Sequence, residues 1–76
     1  MRTIKDIAHD ITQDWSKPYF GAVPYLDAML TLTDKSSRYY YDSAESVVIY
    51  FLSNAATYRG EKARLYKSEL KAIIKS

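Results

Sequence analysis

The sequence predicts an all-α fold, a small single-domain bundle of about four helices over residues 4–15, 24–32, 43–58 and 61–75. Apolar residues recur at the three- and four-residue spacing of a helix in these segments. Patterns typical of helix caps precede the first and third segments, and the two glycines and two prolines lie near segment boundaries. A chain of 76 residues forms one domain, residues 1–76, and buries about 60% of its unfolded surface, so we expect a shallow core.

The first helix is predicted to begin after Thr3. Thr3 followed by Asp6 resembles a capping box, with Asp in place of the usual Glu or Gln. The segment Ser16-Lys17-Pro18 ends the helical pattern. The apolar residues expected on the buried side are Ile4, Ile7, Ala8, Ile11 and Trp15.

The second helix is predicted to carry Pro24 in its first turn, because Gly21 and Pro24 punctuate the stretch before it. Its expected inner residues are Leu26, Met29, Leu30 and Leu32. The polar residues 33–38 that follow form the predicted loop.

The third helix is predicted to be the most buried, because the segment Ala44–Thr57 has almost no polar face. Asp42 followed by Glu45 resembles its cap, and Gly60 is placed to end it in the left-handed conformation. A strand over Val47–Leu52 is the alternative, which the alanines and the cap disfavour. The apolar residues of the segment are Val47, Val48, Ile49, Phe51, Leu52, Ala55 and Ala56.

The fourth helix is predicted to be amphipathic and basic. Its expected inner residues are Ala63, Tyr66, Leu70 and Ile73, with Leu65 and Ile74 alongside. Its expected outer row is Arg64, Lys67, Lys71 and Lys75.

Composition narrows the class of protein. The chain has no cysteine, which excludes disulfides and thiolate metal sites and suits a reducing cytoplasm. No run approaches the roughly 20 apolar residues that span a bilayer, and the polar start is unlike a signal peptide. Residues 1–58 hold five Lys and Arg against seven Asp and Glu, whereas residues 59–76 hold six against two. The basic end favours an acidic partner, although a solvated helix face explains it equally well.

The sequence does not predict an enzyme, a cofactor or a metal site. The single histidine, His9, has Asp6, Asp10 and Gln13 within a turn, a spacing that could offer ligands to a divalent ion. Metal sites usually draw ligands from more than one element, so a solvated acidic face is the preferred interpretation. A nucleophile beside an oriented base is missing, as is a glycine-rich phosphate loop.

Protein binding is the leading hypothesis, because eight tyrosines occur in 76 residues and tyrosine is enriched where proteins touch other molecules. The alternative is that two rings of the consecutive tyrosines 39–41 cover the core and the third is incidental. A homodimer is also open, because helix one is acidic and helix four basic. The predicted partner-binding residues are Tyr39, Tyr40, Tyr41, Tyr58 and Arg59.

Nucleic-acid binding is the second hypothesis. The basic residues of helix four could neutralise phosphates. The rings that could stack on exposed bases are Tyr39, Tyr40, Tyr41, Tyr58 or Tyr66. Glu61 and Glu69 interrupt the positive charge, and Arg59 and Glu61 fit a helix-turn-helix poorly. The candidate nucleic-acid-binding residues are Lys62, Arg64, Lys67, Lys71 and Lys75.

Three stretches carry a resemblance that spans most of the chain: residues 19–29, 50–55 and 58–64. They resemble small all-helical proteins of phages and cassette-type mobile elements of Gram-positive bacteria. The resemblance supplies no catalytic residues to carry over, and it implies a cytoplasmic accessory protein that acts on host or element machinery. Replication enzymes, including a mobile-element DNA polymerase, are the partners it suggests first. Tyr58 takes a place where such proteins often have tryptophan.

Overall fold

The structure is a computed structural model that describes residues 2–32, 38–39 and 42–75, with the backbone alone for residues 38, 39 and 42. Within these ranges it confirms the small all-α bundle of four helices. A two-residue antiparallel strand pair, which the sequence did not predict, precedes the third helix and aligns Arg38 with Ser43 and Tyr39 with Asp42. The elements in chain order are α1 (Ile4–Asp14), α2 (Val23–Met29), β1 (Arg38–Tyr39), β2 (Asp42–Ser43), α3 (Ala44–Ser53) and α4 (Glu61–Lys75).

The helices enclose one apolar core. α1 packs against α2 and α4, and α3 packs against the same two helices. Both strands contact α3. The largest side chains that are fully enclosed are Phe51, Ile4, Ile7, Ile11, Met29, Leu32, Leu70, Val47 and Val48.

The beginning of α1 has the predicted capping box. The Asp6 amide donates to Thr3 Oγ1 at 3.1 Å, and the Thr3 amide donates to Asp6 Oδ2 at 3.2 Å. The backbone hydrogen bond from Thr3 is the main cause that lowers the pKa of the Asp6 carboxyl. Two amides at the helix start that would otherwise lack partners are therefore satisfied.

α2 contains Pro24 in its first turn, as predicted, but it ends at Met29 and not at residue 32. The chain leaves the helix through tighter turns, in which the amides of Thr31 and Leu32 bond to the carbonyls of Ala28 and Met29. The Thr31 hydroxyl also donates to the Ala28 carbonyl at 2.7 Å. Threonine's competition for this carbonyl accounts for the early end.

α3 differs from the prediction at both of its ends. Its N-cap is Ser43, whose Oγ accepts from the Ser46 amide at 3.1 Å, and not Asp42. It ends at Ser53, five residues before the predicted residue 58. There the Ser53 hydroxyl bonds to the Ile49 carbonyl at 3.0 Å, and the Asn54 amide side chain bonds to the Tyr50 carbonyl at 2.9 Å.

Gly60 does not end α3, contrary to prediction. It has a φ of +120°, a conformation that side-chain-bearing residues rarely adopt, and its carbonyl accepts from the Arg64 amide at 3.0 Å. Gly60 therefore directly precedes α4, and its carbonyl accepts the hydrogen bond of that helix's first turn. The connection between the two helices consists of residues 54–60 and is much longer than the three- or four-residue turn of a helix-turn-helix motif.

None of the helices in the described part of the chain combines the length and the apolar character required to cross a bilayer.

Candidate interaction surface

Four large apolar side chains are exposed around one end of α3. Phe20 is 79% exposed, and Tyr19, Ile49 and Tyr50 are 44%, 44% and 48% exposed. We call these four residues the aromatic patch. Single exposed hydrophobic residues are ordinary on a protein surface, whereas a group of them marks an interaction site more often.

Ring contacts occur at each half of the patch, and the chain around Gly21 brings Tyr19 to the end of α3. The Tyr19 and Phe20 ring centroids are 4.8 Å apart, and the half-buried ring of Tyr25 lies 5.5 Å from that of Tyr50. A Cβ atom added to Gly21 would come within 2.6 Å of the Tyr19 ring and 2.9 Å of Asn54 Oδ1. The absence of a side chain at residue 21 therefore lets Tyr19 approach the end of α3.

A groove of about 230 Å³ opens beside the patch. We call it the Tyr19 groove; its lining residues are Tyr19, Ser53, Asn54, Ala56 and Thr57. Its walls are largely apolar.

A second groove, of about 310 Å³, opens on the other part of the α3–α4 connection. We call it the basic groove; its lining residues are Tyr58, Arg59, Gly60, Ala63, Arg64 and Lys67. Three of these six carry positive charge. Arg59 and Arg64 are exposed, and Lys67 is half-buried at the groove wall.

Lys67, a candidate nucleic-acid-binding residue, is engaged within the protein. Its Nζ donates to the Ala55 carbonyl at 2.7 Å and to the Tyr58 carbonyl at 2.6 Å. Burial lowers the pKa of the Lys67 ammonium, and the positive charges of Lys71 and Arg59 lower it further. Lys67 therefore holds the connection between α3 and α4 and does not extend toward solvent.

Tyr58, a predicted partner-binding residue, lies in the core instead. Its ring is 3% exposed and stacks on Trp15 with centroids 4.8 Å apart, and Trp15 in turn meets Phe51 edge-on at 6.3 Å. The Tyr58 hydroxyl donates to Asp14 Oδ2 at 2.8 Å. Burial, followed by the Asp14 carboxylate, raises the pKa of the Tyr58 phenol. The early end of α3 explains the difference, because the chain after it folds back over Trp15.

The other predicted partner-binding residues are placed only in part. Arg59 is exposed, and its Nε donates to the Ala56 carbonyl at 3.3 Å. Tyr39 belongs to β1, which contacts α3, the helix that carries Ile49 and Tyr50. The side chain of Tyr39 and the whole of Tyr40 and Tyr41 lie outside the described residues.

The remaining basic residues of α4 are exposed but unequal in their surroundings. Arg64, Lys71 and Lys75 lie on one side of the helix, as predicted. Lys62 lines a different groove, of about 230 Å³, whose other residues include Asp10 and Asp14, so its charge faces two carboxylates.

Arg2 neutralises one of the acidic residues of α4. Its Nε and Nη2 donate to the two carboxylate oxygens of Glu69 at 3.0 and 3.1 Å, and its Nη1 bonds to Asp10. The Glu69 hydrogen bond is the main cause that raises the pKa of Arg2. The guanidinium also lies 5.6 Å from the centroid of the Tyr66 ring. Tyr66, one of the rings that the nucleic-acid hypothesis offered for base stacking, is thus half-buried beneath an arginine.

His9 is exposed on α1, where Asp6 caps the helix and Asp10 pairs with Arg2. Within the described ranges, no three His, Asp or Glu side chains are grouped closely enough to bind a metal ion.

Helical geometry contained a signal for the aromatic patch that the sequence analysis did not use. Successive helical residues point about 100° apart, so the six apolar residues of Val47–Leu52 cannot all face one core. Ile49 and Tyr50 are the two that face outward.

Comparison of the chain with protein-family models, curated proteins and solved structures finds no match in any of the three. The functional assignment therefore depends on the residues described above.

Proposed function

We propose that this protein is a non-catalytic accessory protein that binds an acidic partner protein through the aromatic patch and the adjoining basic groove. The observation that carries the proposal is the exposure of Tyr19, Phe20, Ile49 and Tyr50, with Tyr19 lying beside the end of the helix that carries the other two side chains, Ile49 and Tyr50. Rigid aromatic side chains cover a partner at small entropic cost, and they are enriched among the residues that dominate binding energy.

The location of the patch modifies the original hypothesis of a tyrosine-rich, basic surface. Of the residues predicted for it, Arg59 remains available, and Tyr58 is replaced by Tyr19 and Tyr50. The contact of β1 with α3 supports keeping the predicted residues Tyr39, Tyr40 and Tyr41 in the proposal, because it brings the backbone of Tyr39 to the helix that carries half of the patch.

The resemblance to proteins of phages and mobile elements adds a proposal about the partner. The first candidates are replication proteins of such an element, including its DNA polymerase, in the bacterial cytoplasm. The cysteine-free composition supports a reducing compartment.

Nucleic-acid binding by α4 is the second candidate. Arg64, Lys71 and Lys75 favour it, because they lie exposed on one side of the helix and could contact phosphates. The engagement of Lys67 and the burial of Tyr58 weigh against it, since they remove a cation and a stacking ring from the same surface.

The proposal can be tested by affinity capture from a lysate of the source organism, with and without nuclease, using wild-type protein and the variants Phe20→Ser and Tyr50→Ser. We expect the captured protein to be insensitive to nuclease and to be lost with either variant. Truncating a central aromatic contact costs about 2 kcal/mol or more, which is about thirtyfold in affinity.

Leu65→Ser is the matched control, because Leu65 is 55% exposed but lies on α4 outside the patch. Circular dichroism verifies that each variant is folded. Capture that survives both patch substitutions, or that disappears with nuclease, contradicts the proposal. Sedimentation of the same variants distinguishes a separate partner from a homodimer formed through the patch.

A further inference from the structure

We infer that the segment recognised on the partner is a short acidic stretch that carries a large apolar side chain. The apolar side chain enters the Tyr19 groove, and neighbouring carboxylates reach Arg59 and Arg64 in the basic groove. This inference rests on the proposed function and specifies the chemistry of its partner.

The two grooves lie next to each other along residues 54–60. Ala56 and Thr57 line the Tyr19 groove, and Tyr58, Arg59 and Gly60 line the basic groove. Because consecutive Cα atoms are about 3.8 Å apart, Thr57 and Arg59 are separated by less than about 8 Å. One short extended segment can therefore contact both grooves.

The arginines of the basic groove lack acidic partners within the described part of the chain. There the ion pairs are those of Arg2 with Asp10 and Glu69. Arg59 uses its Nε on the Ala56 carbonyl, which leaves its two terminal nitrogens free to donate. Arginine binds a carboxylate through two parallel hydrogen bonds, a geometry that suits an acidic side chain.

The backbone that forms the basic groove is held in place without a ligand. Lys67 holds the carbonyls of Ala55 and Tyr58, and Gly60 presents no side chain to the groove. The Lys67 charge adds to the positive potential without occupying the space. A site that is already ordered loses less entropy on binding.

A peptide fits these grooves better than a polynucleotide does. The apolar wall of the Tyr19 groove continues into the aromatic patch, which offers no cation to a phosphate chain. Of the rings that the nucleic-acid hypothesis offers for base stacking, Tyr58 is a core residue and Tyr66 is covered by Arg2, so neither is free to stack on a base.

The test is calorimetric titration of the protein with a short synthetic peptide in which a Phe-Leu pair is flanked by glutamates. Two further peptides separate the contributions: one with glutamine for every glutamate, and one with Ser-Ser for Phe-Leu. We expect the first peptide to bind and each replacement to weaken binding by about tenfold or more, since each removes one kind of contact.

Arg59→Ser and Arg64→Ser should each weaken the glutamate peptide by about tenfold. Lys75→Ser is the control of equal charge change, because Lys75 lies about 16 Å along α4 from Arg64 and should have little effect. Thr57→Trp fills the Tyr19 groove. It should weaken binding of the glutamate peptide and should not strengthen binding of the glutamine peptide.

A thymidine oligonucleotide and a DNA duplex are titrated in parallel. If either binds more tightly than the glutamate peptide, and Lys75→Ser weakens it as much as Arg64→Ser does, the inference is wrong and the surface binds nucleic acid. Absence of peptide binding, or binding indifferent to both peptide replacements, also overturns it. If capture from lysate depends on the aromatic patch and one of these results is also obtained, the proposed function stands and only this description of the partner is wrong.

Discussion

Tyr58 shows how one side chain can satisfy apolar and polar requirements together. Its ring stacks on Trp15 and has the Lys67 ammonium 5.7 Å from its centroid, whereas its hydroxyl donates to the exposed Asp14 at the end of α1. A buried hydroxyl without a partner would destabilise the fold, so the carboxylate is what permits tyrosine here.

We expect Tyr58→Phe to lower the free energy of unfolding by about 1 kcal/mol, because it removes the hydrogen bond to Asp14 and retains the stack on Trp15. Urea denaturation measures the change. Tyr66→Phe is the matched control, since the Tyr66 hydroxyl makes no hydrogen bond to the described residues and its loss should change little.

The same pair of variants yields a test in alkaline solution. The folded state raises the pKa of Tyr58, so its contribution is complete below the unfolded tyrosine pKa of about 10 and is lost as the pH rises above it. Wild type should therefore lose stability above that pH more steeply than Tyr58→Phe. Equal slopes would show that the phenol does not contribute in this way.

The connection between α3 and α4 is an element held by a residue outside it. Residues 54–60 are irregular, yet the Lys67 ammonium donates to two of their carbonyls from the second turn of α4. The connection forms part of both grooves, so its order is a condition for the proposed binding.

Lys67→Met should loosen this connection, because methionine keeps most of the apolar stem but cannot donate to the carbonyls of Ala55 and Tyr58. We expect a loss of about 1–3 kcal/mol and faster hydrogen exchange of the amides in residues 54–60. Lys71→Met, a substitution of an exposed lysine one turn further on, should leave both measurements unchanged. Exchange that is equally slow in both variants would contradict the role assigned to Lys67.

At the scale of the whole molecule, stability depends on few residues. A 76-residue domain has a free energy of unfolding of about 4–11 kcal/mol, so one large core side chain accounts for much of it. Phe51 and Tyr50 are adjacent in α3 but differ completely in burial, 0% against 48% exposed.

Phe51→Ala should cost about 3–5 kcal/mol and leave the protein close to unfolding, because it opens a cavity at the centre of the core. Tyr50→Ala should cost about 0.5 kcal/mol or less. Thermal denaturation followed by circular dichroism compares the two. Similar losses in both variants would mean that the orientation of α3 is wrong.

The parts of the fold that local chemistry determines could be predicted from the sequence. The Thr3 and Asp6 capping box and Pro24 in the first turn of α2 are examples, because each depends on residues within one helical turn. The end of α3 could not be predicted in this way, because the sequence pattern stays apolar through Ala56. The helix ends earlier, where the side chains of Ser53 and Asn54 donate hydrogen bonds to carbonyls one turn before them.

The candidate site was less predictable, because its features arise from residues distant in the chain. The burial of Tyr58 requires Asp14 at the end of α1 and Trp15 directly after it, and the engagement of Lys67 requires the carbonyl of Ala55. Sequence alone identified the basic character of α4 and the exposure of Arg59, but not which tyrosines face outward.

The stack of Trp15 on Tyr58 gives the molecule a built-in optical probe. Trp15 is the chain's one tryptophan, and Tyr58 stands between it and the basic groove. The indole's intrinsic fluorescence therefore originates one ring away from the place where an acidic ligand would arrive. Emission from the unmodified protein can report both the opening of the core and the occupation of that groove, without a dye attached to either.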